Sequence, residues 1–295
     1  MKAKKGTTRT VERAGLTFDD SDVAPWPAGL YDYGSVAESI GGYDAVTDQH
    51  IDRYRELGYL VIENAVRPKA LADAKEALAD LIDGDQLDPR CIQFEKWAAG
   101  RIGDLSREQK QDAVRKFMDF TDKDPRLHAV AYDPRLLELI RRITGSPKLE
   151  ILQEMALLKA PGGREKPWHQ DRAYFNVPGK VPVVGTWIAL HEATPENGCM
   201  RILPGRHRDG PQIHFLRRDW QICDTEIDAP KSVAVRMRPG DMLVFDALLP
   251  HGTPDNATSQ RRWAVQFHYF PKDAARTDDD QRMAIFGSEG KDVQC

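Results

Sequence analysis

Arg262-Trp263-Ala264-Val265-Gln266-Phe267-His268-Tyr269-Phe270-Pro271 reads with period two. Trp263, Val265, Phe267 and Tyr269 fall on one face and Arg262, Ala264, Gln266 and His268 on the other, the alternation of an extended strand. A strand with one apolar and one polar face ordinarily turns the polar side to water, so a solvated arginine on an open sheet is one reading of this stretch. In the other, the strand belongs to a jelly-roll barrel. The aromatic face then packs beneath helices, the polar face lines a cavity, and Arg262 can hold a carboxylate through a bidentate fork.

Working outward, helical signals come first and strand signals after. Thr47 opens a short helix over Asp48–Leu57 that Gly58 ends, and Tyr59–Glu63 reads as a strand. Pro68 starts an amphipathic helix through Leu81, with Leu71, Ala74, Ala77, Leu78 and Leu81 on its buried stripe. Residues 107–120 and 134–144 read as further helices. Beyond Gly145, the runs Leu149–Lys159, Val183–His191, Met200–Leu203, Ser232–Arg238, Met242–Phe245 and Arg262–Phe270 are short, rich in branched residues and separated by Pro and Gly, as strands are. The pattern predicts an α+β fold with a double-stranded β-helix (jelly-roll, cupin-like) core and N-terminal flanking helices. Residues 1–45 are expected to form an extended arm. A single domain is expected over 46–271, with helices in 46–145 and the jelly-roll core in 146–271, followed by a polar tail over 272–295.

The chemistry concentrates in Trp168-His169-Gln170-Asp171, answered far downstream by Pro250-His251-Gly252. At a strand end, residues two apart point to the same side and can bind one metal. Two imidazoles and one carboxylate suit one face of an octahedral ferrous ion and leave three positions open for a co-substrate and dioxygen. A lone His-x-Asp is common by chance, so its surroundings carry the weight.

From about Leu149 to Pro271 those surroundings resemble the phytanoyl-CoA dioxygenase family of Fe(II)/2-oxoglutarate oxygenases. The matching stretches are His169-Gln-Asp-Arg-Ala-Tyr-Phe175, Trp187-Ile-Ala-Leu190, Asn197-Gly-Cys-Met200, Leu203-Pro-Gly-Arg-His207, Pro239-Gly-Asp241 and His251-Gly-Thr253. Arg206 departs from the family, which usually has Ser or Thr there. The resemblance implies that His169, Asp171 and His251 bind Fe(II). It also implies that Arg262, eleven residues after His251, and Thr253 hold the distal carboxylate of 2-oxoglutarate, with Trp187 and Met155 lining its pocket. The expected reaction hydroxylates an unactivated C–H bond of a small organic substrate with O2 as co-substrate, releasing succinate and CO2. Desaturation or cyclisation would need no change of ligands.

Alternation along 149–159 puts Gln153 on the face of Met155, so Gln153 is expected at the substrate, with Tyr174 and Phe175 as pocket walls and His268 beside Arg262. Core packing is the plain alternative for the two aromatic residues. His191, His207 and His214 are expected in surface or supporting roles. A halogenating relative would carry Ala or Gly in place of Asp171. A non-catalytic jelly-roll binding protein has no reason to combine the iron face with Arg262 and Thr253.

A net charge of -4 argues against a nucleic-acid partner, which usually leaves a strongly basic patch. No apolar run approaches the roughly 20 residues of a membrane span. The four cysteines form no C-x-x-C pair. The basic N-terminus lacks the apolar core of a signal peptide, and the cytoplasm is the expected location. Nothing in the sequence sets the oligomeric state.

Overall fold

The computed structural model describes residues 10–13, 16–19, 25–98 and 100–287. Its strands are β1 (Thr10–Arg13), β2 (Leu16–Asp19), β3 (Ser35–Val36), β4 (Tyr59–Ile62), β5 (Ile92–Phe94), β6 (Val114–Met118), β7 (Leu149–Lys159), β8 (Lys166–His169), β9 (Val184–Ala189), β10 (Arg201–Ile202), β11 (His214–Leu216), β12 (Trp220–Ile222), β13 (Val233–Ala234), β14 (Met242–Asp246), β15 (His251–Thr253) and β16 (Arg262–Pro271). The α-helices are α1 (Asp48–Leu57), α2 (Pro68–Asp83), α3 (Arg107–Ala113), α4 (Pro125–Ala131), α5 (Pro134–Thr144) and α6 (Asp279–Phe286).

Local chemistry explains where the helices begin and end. Thr47 and His50 cap each other's backbone at the start of α1, and Gly58 closes it in the left-handed region at φ 82°, where a residue without Cβ costs least. Prolines sit in the first turn of α2, α4 and α5, where their missing N–H is no loss. Asp124 and Asp133 cap the last two of these helices through the backbone N–H groups of Arg126 and Arg135.

Two sheets form the body of the fold. The larger is antiparallel with strand order β4-β14-β9-β16-β7-β6-β5, and the smaller runs β3-β13-β10-β15-β8. The alternation of β16 comes out as the barrel reading requires. Trp263, Val265, Phe267 and Tyr269 join the core formed with Leu71, Leu78 and Leu81 of α2, Leu127 of α4 and Leu136 and Ile140 of α5. The opposite face turns toward the smaller sheet, and a cavity lies between the two. No helix among the described residues is long and apolar enough to cross a membrane.

Several elements differ from the sequence expectation. The helix expected over 107–120 stops at Ala113, and Val114–Met118 becomes β6, paired with β7 through Lys116↔Leu157 and Met118↔Met155. Phe117, fully buried in the main core, is worth more beneath a paired strand than on a short exposed helix, a case of packing overriding local propensity. In the segment expected to be an arm, β3 pairs in parallel with β13, and Leu30 and Tyr31 pack on Trp168. In the segment expected to be a tail, Asp278 caps α6, and Arg282 donates to the Ala173 carbonyl.

Candidate active site

The pairing of β15 with β8 sets His251 directly opposite His169. The two rings lie 4.2 Å apart. Gly252 permits the approach, since a Cβ there would sit 3.1 Å from the Trp168 backbone nitrogen. Asp171 opens a 3-10 turn just beyond β8. Its Oδ1 is 3.2 Å from His169 Nε2 and its Oδ2 is 3.6 Å from His251 Nε2. One ligand atom from each of the three buried residues falls within 4.8 Å of the others.

The imidazoles are oriented as metal ligands. Nδ1 of His169 lies 2.7 Å from the Pro167 carbonyl and Nδ1 of His251 lies 2.9 Å from the Leu249 carbonyl. Each Nδ1–H donates to its carbonyl, which leaves Nε2, the nitrogen that faces Asp171 in both rings, for a metal. Burial, reinforced by neighbouring His169, lowers His251 to about 4. Burial alone would raise the Asp171 carboxyl, but His251, His268 and the hydrogen bond from His169 hold it well below the usual carboxylate range.

The Asp171 carboxylate has two further partners that the sequence reading did not assign to it. Gln266 Nε2 donates to Asp171 Oδ2 at 3.0 Å, and His268 Nε2 lies 2.9 Å from the same oxygen. Both come from the polar face of β16. They tie down one carboxylate oxygen and leave the other freer for a ligand. Polar alternation on β16 was the available signal, but it does not say which inward residue meets the carboxylate.

Across the cavity, Arg262 is 3 % exposed, and its Nε and Nη1 have no hydrogen-bond partner among the described residues. Its guanidinium stacks over the Trp187 ring at 5.1 Å, and burial lowers it to about 10. It remains charged at neutral pH. Buried donors rarely go unpaired, so a cation aimed into a cavity with free N–H groups marks a place for an anion. Thr253 lines the same end, where its Oγ1 accepts from Lys159 Nζ at 3.0 Å. A dicarboxylate with one end at the His-Asp-His cluster and the other at Arg262 fits this donor set.

The cavity measures about 750 Å³, and His169, Asp171, His251, Thr253, Arg262, Trp187, Met155, Gln153 and Tyr174 all line it. Two residues expected at the substrate do not. Phe175 packs with Val177, Val183, Ala247 and Phe270. His268 is 1 % exposed, its ring held between Phe175 and Phe245 with Nε2 at Asp171. Neither residue lines the opening as expected: the 3-10 turn after Asp171 swings Phe175 away from it and lets Phe175 cover His268. Tyr174 stays at the mouth, with its hydroxyl 2.9 Å from Lys166 Nζ and donating to the Trp220 carbonyl.

Gln170, between the two ligands of the His-x-Asp pair, is fully buried and points away from the metal side. Its amide donates to Gly210 and Leu248 carbonyls, its Oε1 accepts from Gln212 N, and its own backbone N–H donates to His214 Nε2. The hairpin β11–β12 is thereby fastened over the site. A buried Glu165–Arg218–Asp224 ion network, joined by Tyr31 through Glu165, secures its far side.

The sequence profile of the family described as phytanoyl-CoA dioxygenase (PhyH) matches residues 54–264. The chain belongs to the phytanoyl-CoA dioxygenase family. It is an iron- and 2-oxoglutarate-dependent dioxygenase. A similar protein is the phytanoyl-CoA dioxygenase domain-containing protein 1 of Danio rerio, 26% identical over 76% of this chain and 90% of that one. Ectoine dioxygenase of Sphingopyxis alaskensis is 25% identical over 68% of each chain. Among solved structures, EctD from S. alaskensis with 2-oxoglutarate and 5-hydroxyectoine superposes with a TM-score of 0.63 at 21% identity, covering 96% of this chain and 90% of that one. The epimerase SnoN of nogalamycin biosynthesis gives 0.60 at 22% identity over 78% and 85%. The structural likenesses support the jelly-roll fold.

Proposed function

We propose that His169, Asp171 and His251 hold Fe(II), that Arg262 and Thr253 hold the distal carboxylate of 2-oxoglutarate beside Trp187 and Met155, and that the enzyme hydroxylates an unactivated C–H bond of a small organic substrate. When bound, iron with 2-oxoglutarate and dioxygen supplies the oxidising power for that replacement, and 2-oxoglutarate leaves as succinate and carbon dioxide. The observation that carries the reading is Arg262, a buried cation with unpaired donors that shares one cavity with the His-Asp-His cluster.

The protein's part is to bind, orient and exclude. His169 and His251 offer Nε2 because their Nδ1–H groups are engaged by carbonyls. Asp171 is kept anionic and turned by Gln266 and His268. The fastened hairpin restricts water at the mouth. Gln153 and Tyr174 border the open side of the cluster and are our candidates for positioning the C–H bond.

A screen of small molecules scored by succinate formation, with product mass checked for each hit, tests the proposal. Products heavier than substrate by one oxygen support hydroxylation. Loss of two hydrogens would indicate desaturation or ring closure with the same ligands, and no stimulated succinate release across the screen would count against an oxygenase acting on small molecules. Our reading places the reaction in the cytoplasm. Cell fractionation that finds the protein in peroxisomes, the location stated in the names of the rat and mouse relatives, would overturn that.

A further inference from the structure

Lys159 is an uncommon residue to find where it is. It closes β7, pairs directly across from Arg262 in register, and is 7 % exposed. Like charges directly opposite on neighbouring strands destabilise a sheet, and burial removes the water that would screen them. Neither side chain has a carboxylate partner among the described residues. Lys159 donates to Thr253 Oγ1 and, in a short contact, to the Pro254 carbonyl, while the Arg262 guanidinium stacks on the Trp187 ring. A buried amine and a buried guanidinium side by side, with no carboxylate in direct contact with either among the described residues, make a place that an anion completes.

We propose that Lys159 is a second anchor for the distal carboxylate of 2-oxoglutarate, acting both as a cation beside Arg262 and as the group that sets the direction of the Thr253 hydroxyl. The inference rests on the reading of this cavity as a 2-oxoglutarate site and adds a residue to it. Because Lys159 donates to Thr253 Oγ1, the hydroxyl's own hydrogen is left to point elsewhere, and the open direction is the cavity that both residues line. A carboxylate there meets the free Nε–H and Nη1–H of Arg262, the Thr253 O–H and the remaining ammonium hydrogen of Lys159. Burial, then Arg262 and Arg115, hold the amine well below the usual lysine range against the opposing pull of Asp255 and Glu165; a carboxylate arriving at Arg262 relieves that pressure. The arrangement selects for a 2-oxo acid that ends in a second carboxylate.

The test compares 2-oxoglutarate with 2-oxopentanoate, which keeps the chelating end and replaces the distal carboxylate by a methyl group. Binding to the full-length protein loaded with Mn(II) is measured calorimetrically for wild type, Lys159→Met, Lys159→Gln and Lys159→Arg. Losing one charge-assisted hydrogen-bonding group from the anchor should weaken 2-oxoglutarate by about 10- to 100-fold in the Met and Gln variants. Their binding of 2-oxopentanoate should be unchanged, and Lys159→Arg should recover part of the loss. Unchanged 2-oxoglutarate affinity in Lys159→Met or Lys159→Gln would overturn the proposal, and so would equal loss for both acids, which marks a merely structural lysine. If one variant fails to fold, the other decides. Wild type that binds 2-oxopentanoate as tightly as 2-oxoglutarate would instead refute the distal-carboxylate site as a whole.

Discussion

Replacing Arg262 with leucine should stabilise the empty protein and sharply reduce its response to 2-oxoglutarate. In the unliganded state the guanidinium is buried with Nε and Nη1 unpaired. Leaving such donors unsatisfied costs about 1–3 kcal/mol, and more for a charged group. The stack on Trp187 returns up to about 2 kcal/mol. Leucine removes the penalty and fills most of the space, so the net gain should be about 1 kcal/mol, or roughly 2–4 °C in melting temperature for a large domain. With 2-oxoglutarate at a hundred times its Kd, wild type should gain about 2.7 kcal/mol. Losing the carboxylate's partner costs about 2–5 kcal/mol of binding, so at the same concentration the variant should gain less than about 1 kcal/mol. Thermal melts with Mn(II), with and without 2-oxoglutarate, read both effects. A variant that keeps the full 2-oxoglutarate shift would refute the assignment of Arg262 as the anchor, and a large drop in unliganded stability would show that its donors are satisfied in solution.

Asp171→Ala should remove most ferrous affinity and turnover while the protein stays folded, read by metal titration beside circular dichroism; full activity would sink the ligand assignment. His268→Ala removes a hydrogen-bond partner of Asp171 Oδ2 and should weaken iron binding by about 10- to 100-fold, without the loss of substrate affinity that a pocket wall would show. Gln153→Ala and Tyr174→Ala should leave iron and 2-oxoglutarate binding intact but release succinate in excess of product, because small misplacements of a reacting group can cost on the order of 100-fold; wild-type coupling in both would move the substrate toward the arginine-rich loop after Pro204. The metal-free protein should also lose stability on acidification. His251 is lowered to about 4 and His214 to about 3 from 6.5, each chiefly by burial, so the unfolded chain binds their protons first and stability falls as pH drops from about 6.5 toward those values. Each contributes about 2 kcal/mol of loss between pH 7 and pH 5, and urea unfolding at the two pH values that gave equal stability would show that these histidines are not buried neutral.

Much of the scaffold was legible because it rests on local rules. The start and end of α1 follow from Thr47 and Gly58, and the long strands β7 and β16 follow from alternation that survives into the observed faces. The cavity end of β16 was readable in the same way, since inward-facing polar residues at 262, 266 and 268 need a polar interior. What the sequence hid depends on pairing between distant segments. The stretch Val114–Met118 becomes a strand only because β7 offers it an edge, and the short strands β8 and β15 exist through their partners. The same limit applies at the site. Period two puts His268 on the inner face, but only the turn after Asp171 decides that it meets the carboxylate and that Phe175 covers it. Period two also sets Lys159 on the face of Met155, yet its significance appears only with the register that sets it opposite Arg262.

The most direct test of the central claim is an anaerobic titration of the metal-free protein with Fe(II) and then 2-oxoglutarate, followed by visible absorption. Iron at His169, Asp171 and His251 with 2-oxoglutarate chelated beside it should give a metal-to-ligand charge-transfer band that appears only when both are present, disappears in Asp171→Ala, and in Arg262→Leu needs far more 2-oxoglutarate to saturate. A wild-type protein that binds neither, or that binds iron without developing the band, would contradict the assignment of this cavity as an oxygenase centre.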